Sequence, residues 1–187
     1  MKQTVAFLPG LLCDAALFTA QIAAMQAAGR RTHVADFAGE DQVSIPVMAS
    51  KLLGELPERF SLVALSMGGY VALEVLAQAP ERVERLALLD TNARADSPAA
   101  AARRRDLLRL AERGRFLGVA PRLMPLYLHE SRLEDDVLTG AVAGMAERLA
   151  ADVFRRQQGA ILERKDHRQT LAAYEGPVLV LCGRQDQ

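Results

Sequence analysis

Short apolar runs alternate with apolar stripes at helical spacing through the first half of the chain. Val5 to Leu8 is continuously apolar and stops at Pro9-Gly10, which predicts a buried strand. Asp14 is placed to cap a helix whose Phe18, Ile22 and Met25 share a face, with Gly29 as its stop. Arg31 to Phe37 reads as a second strand. Ser44 to Leu56 reads as a helix with Pro46 near its start, Met48, Leu52 and Leu56 on one face, and Pro57 after it. Phe60 to Leu65 is the third strand, Met67 to Ala79 the third helix, and Val83 to Leu89 the fourth strand, ending at Asp90. Single helices between strands predict a parallel sheet with right-handed crossovers. Strands apolar on both sides predict a sheet covered on both faces. The expected class is α/β: a mostly parallel sheet flanked by helices.

The rhythm then breaks. From about Ala93 to Tyr174 no strand pattern is found. Ser97-Pro98 starts a helix that runs through Leu107, Leu108 and Leu110 to Gly114. Ser131-Arg132-Leu133-Glu134 fits a capping box ahead of a helix with Val137, Leu138 and Met145 apolar. Asp152 to Leu162 reads as a further helix. A helical stretch of roughly eighty residues is too long for a plain connection, so it reads as an insertion. Pro177 to Gly183 then returns as a buried strand. The expected division is a core of 1–92 and 175–187 with a helical cap insertion at 93–174.

One residue stands out in this pattern. Ser66 lies in Ala64-Leu65-Ser66-Met67-Gly68-Gly69, where a strand turns sharply into a helix. A serine on such a bend holds its hydroxyl in the open, and the crowded bend needs small residues two places before and after it. Ala64 and Gly68 occupy those places; the usual motif has glycine at both, and Ala64 adds one methyl. The Met67 N–H is an unpaired donor at a helix start, where the helix dipole adds partial positive charge. An oxyanion forming on a carbonyl attacked by Ser66 would be stabilised there. The bland alternative is a small-Ser-small triplet in an ordinary loop.

Composition narrows the partners. The chain has 187 residues, 50% hydrophobic and 25% charged, with 23 basic and 23 acidic residues, so no bulk field favours nucleic acid or an anionic membrane. No apolar run is long enough to span a bilayer. Two cysteines, Cys13 and Cys182, make no disulfide framework and fit a cytoplasmic protein with small buried thiols. The arginines between Arg103 and Arg115 are interleaved with Asp106 and Glu112 and lack aromatic companions, as on a solvated helix face. No metal-ligand spacing or phosphate loop occurs, and no cofactor is implied. The expected partner is a small-molecule substrate; a homo-oligomer is compatible. Met124, Leu126, Tyr127 and Leu128 are placed either to line an apolar acyl pocket or simply to pack the insertion on the sheet.

Ligands of open parallel sheets gather beyond the carboxyl ends of the strands. Ser66 ends the third strand there. Pro9-Gly10-Leu11-Leu12 ends the first, where the Leu11 N–H could join that of Met67 as an oxyanion donor. Asp90 ends the fourth, and Gly183-Arg184-Gln185-Asp186 follows the last and offers a carboxylate. On Leu8-Pro9-Gly10-Leu11, the bend at Ala64 to Gly69, and Val178 to Asp186, the chain resembles the α/β-hydrolase superfamily over essentially its whole length. The resemblance implies a serine hydrolase of a carboxylic ester, thioester or lactone, in a group that includes carboxylesterases, lactone hydrolases and cofactor-free haloperoxidases. It implies Ser66 as nucleophile, Asp186 as the acid that orients a histidine, and Met67 and Leu11 as backbone donors. Many relatives have His-Gly at Pro9-Gly10, which keeps Leu12 open as the first-loop donor. In some relatives the acid follows the fourth strand, which keeps Asp90 open as well.

The family's chain order is Ser, acid, His, with the histidine after one further strand. The available histidines are His33 in the second strand and His129 and His167 in the insertion, each expected to be structural or on the surface. With Asp186 one residue from Gln187, the expectation is a chain truncated before its catalytic histidine, with little activity alone. A non-catalytic member of the same fold, and a carbon–carbon hydrolase or acyltransferase on the same site, are the alternatives.

Overall fold

The computed structural model of the chain describes residues 3–112 and 119–186. Five strands, β1 (Thr4–Leu8), β2 (Arg31–Val34), β3 (Phe60–Leu65), β4 (Val83–Leu89) and β5 (Val178–Leu181), form one parallel sheet in the order β2-β1-β3-β4-β5. From β1 the chain crosses to β2 on one side; from β3 it crosses to β4 on the other. The connections therefore diverge between β1 and β3, which opens a crevice at their carboxyl ends. Leu8 pairs with Ala64, so Pro9-Gly10 leaves the sheet directly beside Leu65-Ser66.

Alternation along the strands sorts the core into two layers. Ala6, Leu8, Leu62, Ala64, Leu86 and Leu88 face α2 (Ile45–Glu55) and α3 (Met67–Gln78). Val5 and Phe7 face the other way, against Phe18 and the helix α1 (Thr19–Ala27). Local caps follow the chemistry read from the sequence. Asp14 accepts from the Ala16 N–H at the 3₁₀ turn before α1, Ser44 accepts from the Val47 N–H at the start of α2, and Gly29 takes the left-handed φ of 73° that ends the α1 segment. Strand β2 stops at Val34, three residues earlier than expected; beyond it Ala35 alone still donates to Phe7.

Between β4 and β5 lie α4 (Pro98–Glu112), α5 (Val119–Tyr127), α6 (Asp136–Leu162) and α7 (Arg168–Ala172), with no strand among the described residues. The expected end of α4 at Gly114 falls outside the described residues. Two expectations are corrected here. Ser131 does not cap a helix: it sits in a 3₁₀ turn (Glu130–Arg132), and Asp135 caps α6 by accepting from Val137 and Leu138. The two helices expected over 131–162 are both present: the run Asp136–Leu162 divides at Ala150, whose φ of 60° and ψ of 177° leave the helical region. Strand β5 is not buried: Val178, Leu179, Val180 and Leu181 are 41–68% exposed. It pairs with β4 along one edge, and among the described residues no helix covers its faces, so apolar composition alone did not report burial. Among the described residues no helix is long and apolar enough to cross a membrane.

Candidate active site

Ser66 sits between β3 and α3 with φ 52° and ψ −113°, a conformation that costs a non-glycine residue roughly 1–3 kcal/mol and persists only where the surroundings hold it. Three hydrogen bonds do so. The Ser66 N–H donates to Leu89 of β4 (3.0 Å), and its carbonyl accepts from the Gly69 N–H (2.9 Å) and the Thr91 hydroxyl (2.8 Å). The residue remains half-buried, so the bend is braced while the side chain keeps access to solvent. Leu12 (φ 55°) and Asp90 (φ 41°) are also left-handed, so strained residues follow β1, β3 and β4 at the same edge of the sheet. Such strain collects at functional sites.

The small residues of the bend have identifiable neighbours. A Cβ on Gly68 would lie 2.1 Å from the Leu8 carbonyl oxygen and 2.8 Å from that of Pro9. A Cβ on Gly69 would lie 2.4 Å from Thr91 Oγ1, the hydroxyl that braces Ser66. A Cβ on Gly10 would come 3.4 Å from the Ser66 Cβ, so the loop after β1 passes directly against the serine. Ala64 is fully buried, and its single methyl is accommodated in the sheet.

The first loop is more tightly held than its sequence suggests. Gly10 C=O accepts from the Cys13 N–H (3.1 Å). The Leu11 carbonyl accepts from the Tyr127 hydroxyl (3.1 Å) and the Cys13 thiol (3.4 Å). The Leu12 N–H donates to Gln157 Oε1 (3.0 Å), whose own Nε2 donates to the Phe37 carbonyl (3.2 Å). Leu12 N–H is thus already spent, whereas among the described residues the Leu11 N–H makes no hydrogen bond. Asp14, next in line, pairs with Arg148 at 2.8 Å. Burial works to raise the Asp14 carboxyl, but the Arg148 and Ala16 hydrogen bonds outweigh it and hold it below its usual range. A cleft of about 320 Å³ opens beside this loop, with Cys13, Phe37, Leu149 and Gln157 in its wall. Sequence reasoning missed Gln157 altogether; a buried glutamine inside an apolar helix face was the one available signal. It placed Tyr127 with Leu126 either in an acyl pocket or in the packing of the insertion on the sheet, whereas Leu126 is 55% exposed.

The other candidates are spread along the same edge. Met67 is fully buried at the first turn of α3. Asp90 donates its N–H to Leu181, and its Oδ1 accepts from the Gly183 N–H (2.9 Å), so this carboxylate fastens the start of the turn after β5. Asp186 closes that turn with its N–H on Gly183 C=O (3.1 Å) and lies exposed, two strands from Ser66 across β4. None of the histidines meets Ser66. His33 Nε2 lies 3.1 Å from Glu55, His129 accepts from the Ser131 N–H, and His167 is buried 3.0 Å from Glu74. Among the described residues no cluster of three or more His, Cys, Asp or Glu side chains is arranged to hold a metal ion.

The cysteines divide, against the expectation that both are buried. Cys182 is exposed. The Cys13 thiol is enclosed, and burial, then the neighbouring Asp14 charge, push it up to about 12. It stays protonated and unreactive at any ordinary pH. A disulfide-exchange reagent at pH 8 should therefore titrate one thiol in the native protein and two after denaturation; two fast thiols in the native state would contradict the assignment.

A family model described as the alpha/beta hydrolase fold matches residues 56–187. Among solved structures, a thermophilic esterase from Thermogutta terrifontis is 27% identical, with a TM-score of 0.87 over 98% of this chain and 72% of its own. The enol-lactonase from Burkholderia xenovorans is 21% identical, with a TM-score of 0.84 over 98% of this chain and 74% of its own. No functionally curated protein matches the chain. The parallel sheet, the strained serine bend between β3 and α3, and a family match spanning more than half of the sequence lead to one conclusion: this chain belongs to the alpha/beta hydrolase family.

Proposed function

We propose that Ser66 is the nucleophile of a serine hydrolase that cleaves a carboxylic ester, thioester or lactone. The observation that carries this reading is the left-handed bend at Ser66, braced by Leu89, Gly69 and Thr91 at a residue that stays only half-buried. In this chemistry Ser66 Oγ attacks the carbonyl carbon while its proton passes to a base, and the C=O π pair becomes the negative charge on the carbonyl oxygen; the base later returns that proton to the departing alcohol or thiol. The Met67 N–H at the positive end of α3 and the unspent Leu11 N–H are the donors for that oxygen. Collapse of the adduct expels the alcohol or thiol and leaves an acyl group on Ser66, which water then removes. Asp186, in the turn Gly183-Arg184-Gln185-Asp186 after β5, is the carboxylate assigned to orient the base, with Asp90 at the end of β4 as the alternative.

The Ser66 proton has no acceptor histidine among the described residues, since all three are engaged elsewhere. A serine hydroxyl without a base is a poor nucleophile, and sites stripped of their triad retain only about 10³–10⁴ over water from the oxyanion hole and binding. The 187-residue chain should therefore turn over an activated ester such as p-nitrophenyl acetate only slowly, and Ser66→Ala should change that slow rate little, because what remains comes from the oxyanion hole and binding. Rapid turnover that survives Ser66→Ala would contradict the proposal. The same engagement of the histidines favours a second reading, a binding protein on a hydrolase fold, in which Ser66 would never become acylated.

A further inference from the structure

We infer that the helical segment between β4 and β5 sets the oxyanion loop, by clamping both polar ends of one peptide group between Tyr127 and Gln157. The inference rests on the assignment of Leu11 N–H as an oxyanion donor. The Leu11 carbonyl and the Leu12 N–H belong to the same planar peptide unit, in which they point in opposite directions. Tyr127, at the end of α5, donates to the carbonyl; Gln157, in the second half of α6, accepts from the N–H. Rotating this peptide breaks both bonds at once.

The clamp is needed because the loop cannot hold this shape unaided. Leu12 occupies the left-handed region at φ 55°, where a side chain with a Cβ is disfavoured. Gln157 is 1% exposed, and its Nε2 donates to the Phe37 carbonyl, which fixes the amide with its oxygen aimed at Leu12. Tyr127 is 36% exposed as a residue, but burial at its hydroxyl end pushes that group up, and it remains a protonated donor. Upstream, the Gly10 carbonyl is tied by the Cys13 N–H, which leaves the Leu11 N–H of that peptide directed the other way. Gly10 lies against the Ser66 side chain, so the orientation of these two peptides decides whether a donor faces the reacting carbonyl. Arg148 on Asp14 adds a third tie from α6 to the same loop. Tyr127 and Gln157 touch no reacting atom; they are positioning residues, and movement of the helical segment changes the site through them.

The test measures phosphonylation of Ser66 by a small fluorophosphonate in the 187-residue chain, followed by intact-mass and peptide analysis at a temperature where every variant is folded. Gln157→Met should slow labelling by about 10–100-fold, less than the 10²–10³ lost when an oxyanion donor is removed outright. Tyr127→Phe should slow it as well, and the double variant should label at about the rate of the slower single one, because both residues hold one peptide. Arg156→Ala is the control: it removes the neighbouring hydrogen bond to Ala38 C=O without touching the clamp, and should label at the wild-type rate. Amide exchange read by NMR should show Leu12 protected in the wild type and released in Gln157→Met. A folded Gln157→Met chain that labels Ser66 as fast as wild type, or an Arg156→Ala chain slowed to the same degree, overturns the clamp while leaving the serine assignment intact. Labelling should be slow throughout, because no histidine serves Ser66 among the described residues; a wild-type chain with no Ser66 adduct even after prolonged incubation overturns the serine assignment, and the clamp with it.

Discussion

Gly68→Ala should abolish the native fold around the serine bend, and with it any labelling of Ser66. The added Cβ would sit 2.1 Å from the Leu8 oxygen, 2.6 Å from the Leu8 carbon and 2.8 Å from the Pro9 oxygen. All three are backbone atoms at the end of a central strand, so no rotamer change relieves the overlap. Overpacking of a side chain into a core typically costs about 1–3 kcal/mol; with backbone on both sides the loss should lie at or beyond the top of that range. Gly54→Ala in α2 is the matched control, because nothing lies within 4 Å of the position where its Cβ would go. It should be neutral, or stabilising by about 0.5–1 kcal/mol. Circular dichroism melts of the two variants decide the matter: equal melting temperatures would contradict the close approach of α3 to β1.

Asp96→Ala should be the most damaging change in the helical segment. The Asp96 carboxylate is 5% exposed and accepts from Arg164 (2.6 Å, itself 4% exposed) and from Arg104 (2.8 Å). Arg164 also donates to the carbonyls of Arg94 and Ile161, and its guanidinium lies 4.1 Å from the centre of the Tyr70 ring on α3. These contacts join the helical segment to the helix that follows Ser66. Removing the one carboxylate strands a buried guanidinium, a change that costs about 3–5 kcal/mol, a large share of the about 5–15 kcal/mol that holds a domain together. Urea denaturation should show that loss with an unchanged slope; a loss below about 1 kcal/mol would mean that the pair is solvated and weak.

What could be read from the chain was what local chemistry determines. The serine bend was legible because steric crowding restricts the residues beside it to small ones, and Gly68 and Gly69 turn out to face Leu8 and Thr91. The parallel order was legible because single helices separate continuously apolar runs. Arg104, within the arginine-rich helix read as a solvated face, is instead drawn into the Asp96 pair, a contact made outside its own helix. The clamp was not legible at all, since Gln157 and Tyr127 reach the loop across 145 and 116 residues of chain and no local pattern marks them. The exposure of β5 was misread for a related reason: Val178 to Leu181 encode a strand that can be buried, while burial depends on what covers it. The cap of α6 was misplaced because Ser131 and Asp135 both offer acceptors, and the 3₁₀ turn took the first.

Ser66 is the centre of the account, and one measurement addresses it without reference to substrate. The 187-residue chain and its Ser66→Ala variant are incubated with an alkyl fluorophosphonate, digested, and mapped by mass spectrometry. A single phosphonyl adduct on the peptide that carries Ser66, accumulating slowly because no histidine serves the serine among the described residues and absent from the variant, is the expected result. Equal modification of both chains, or an adduct confined to other residues, would contradict the assignment of Ser66 as the nucleophile.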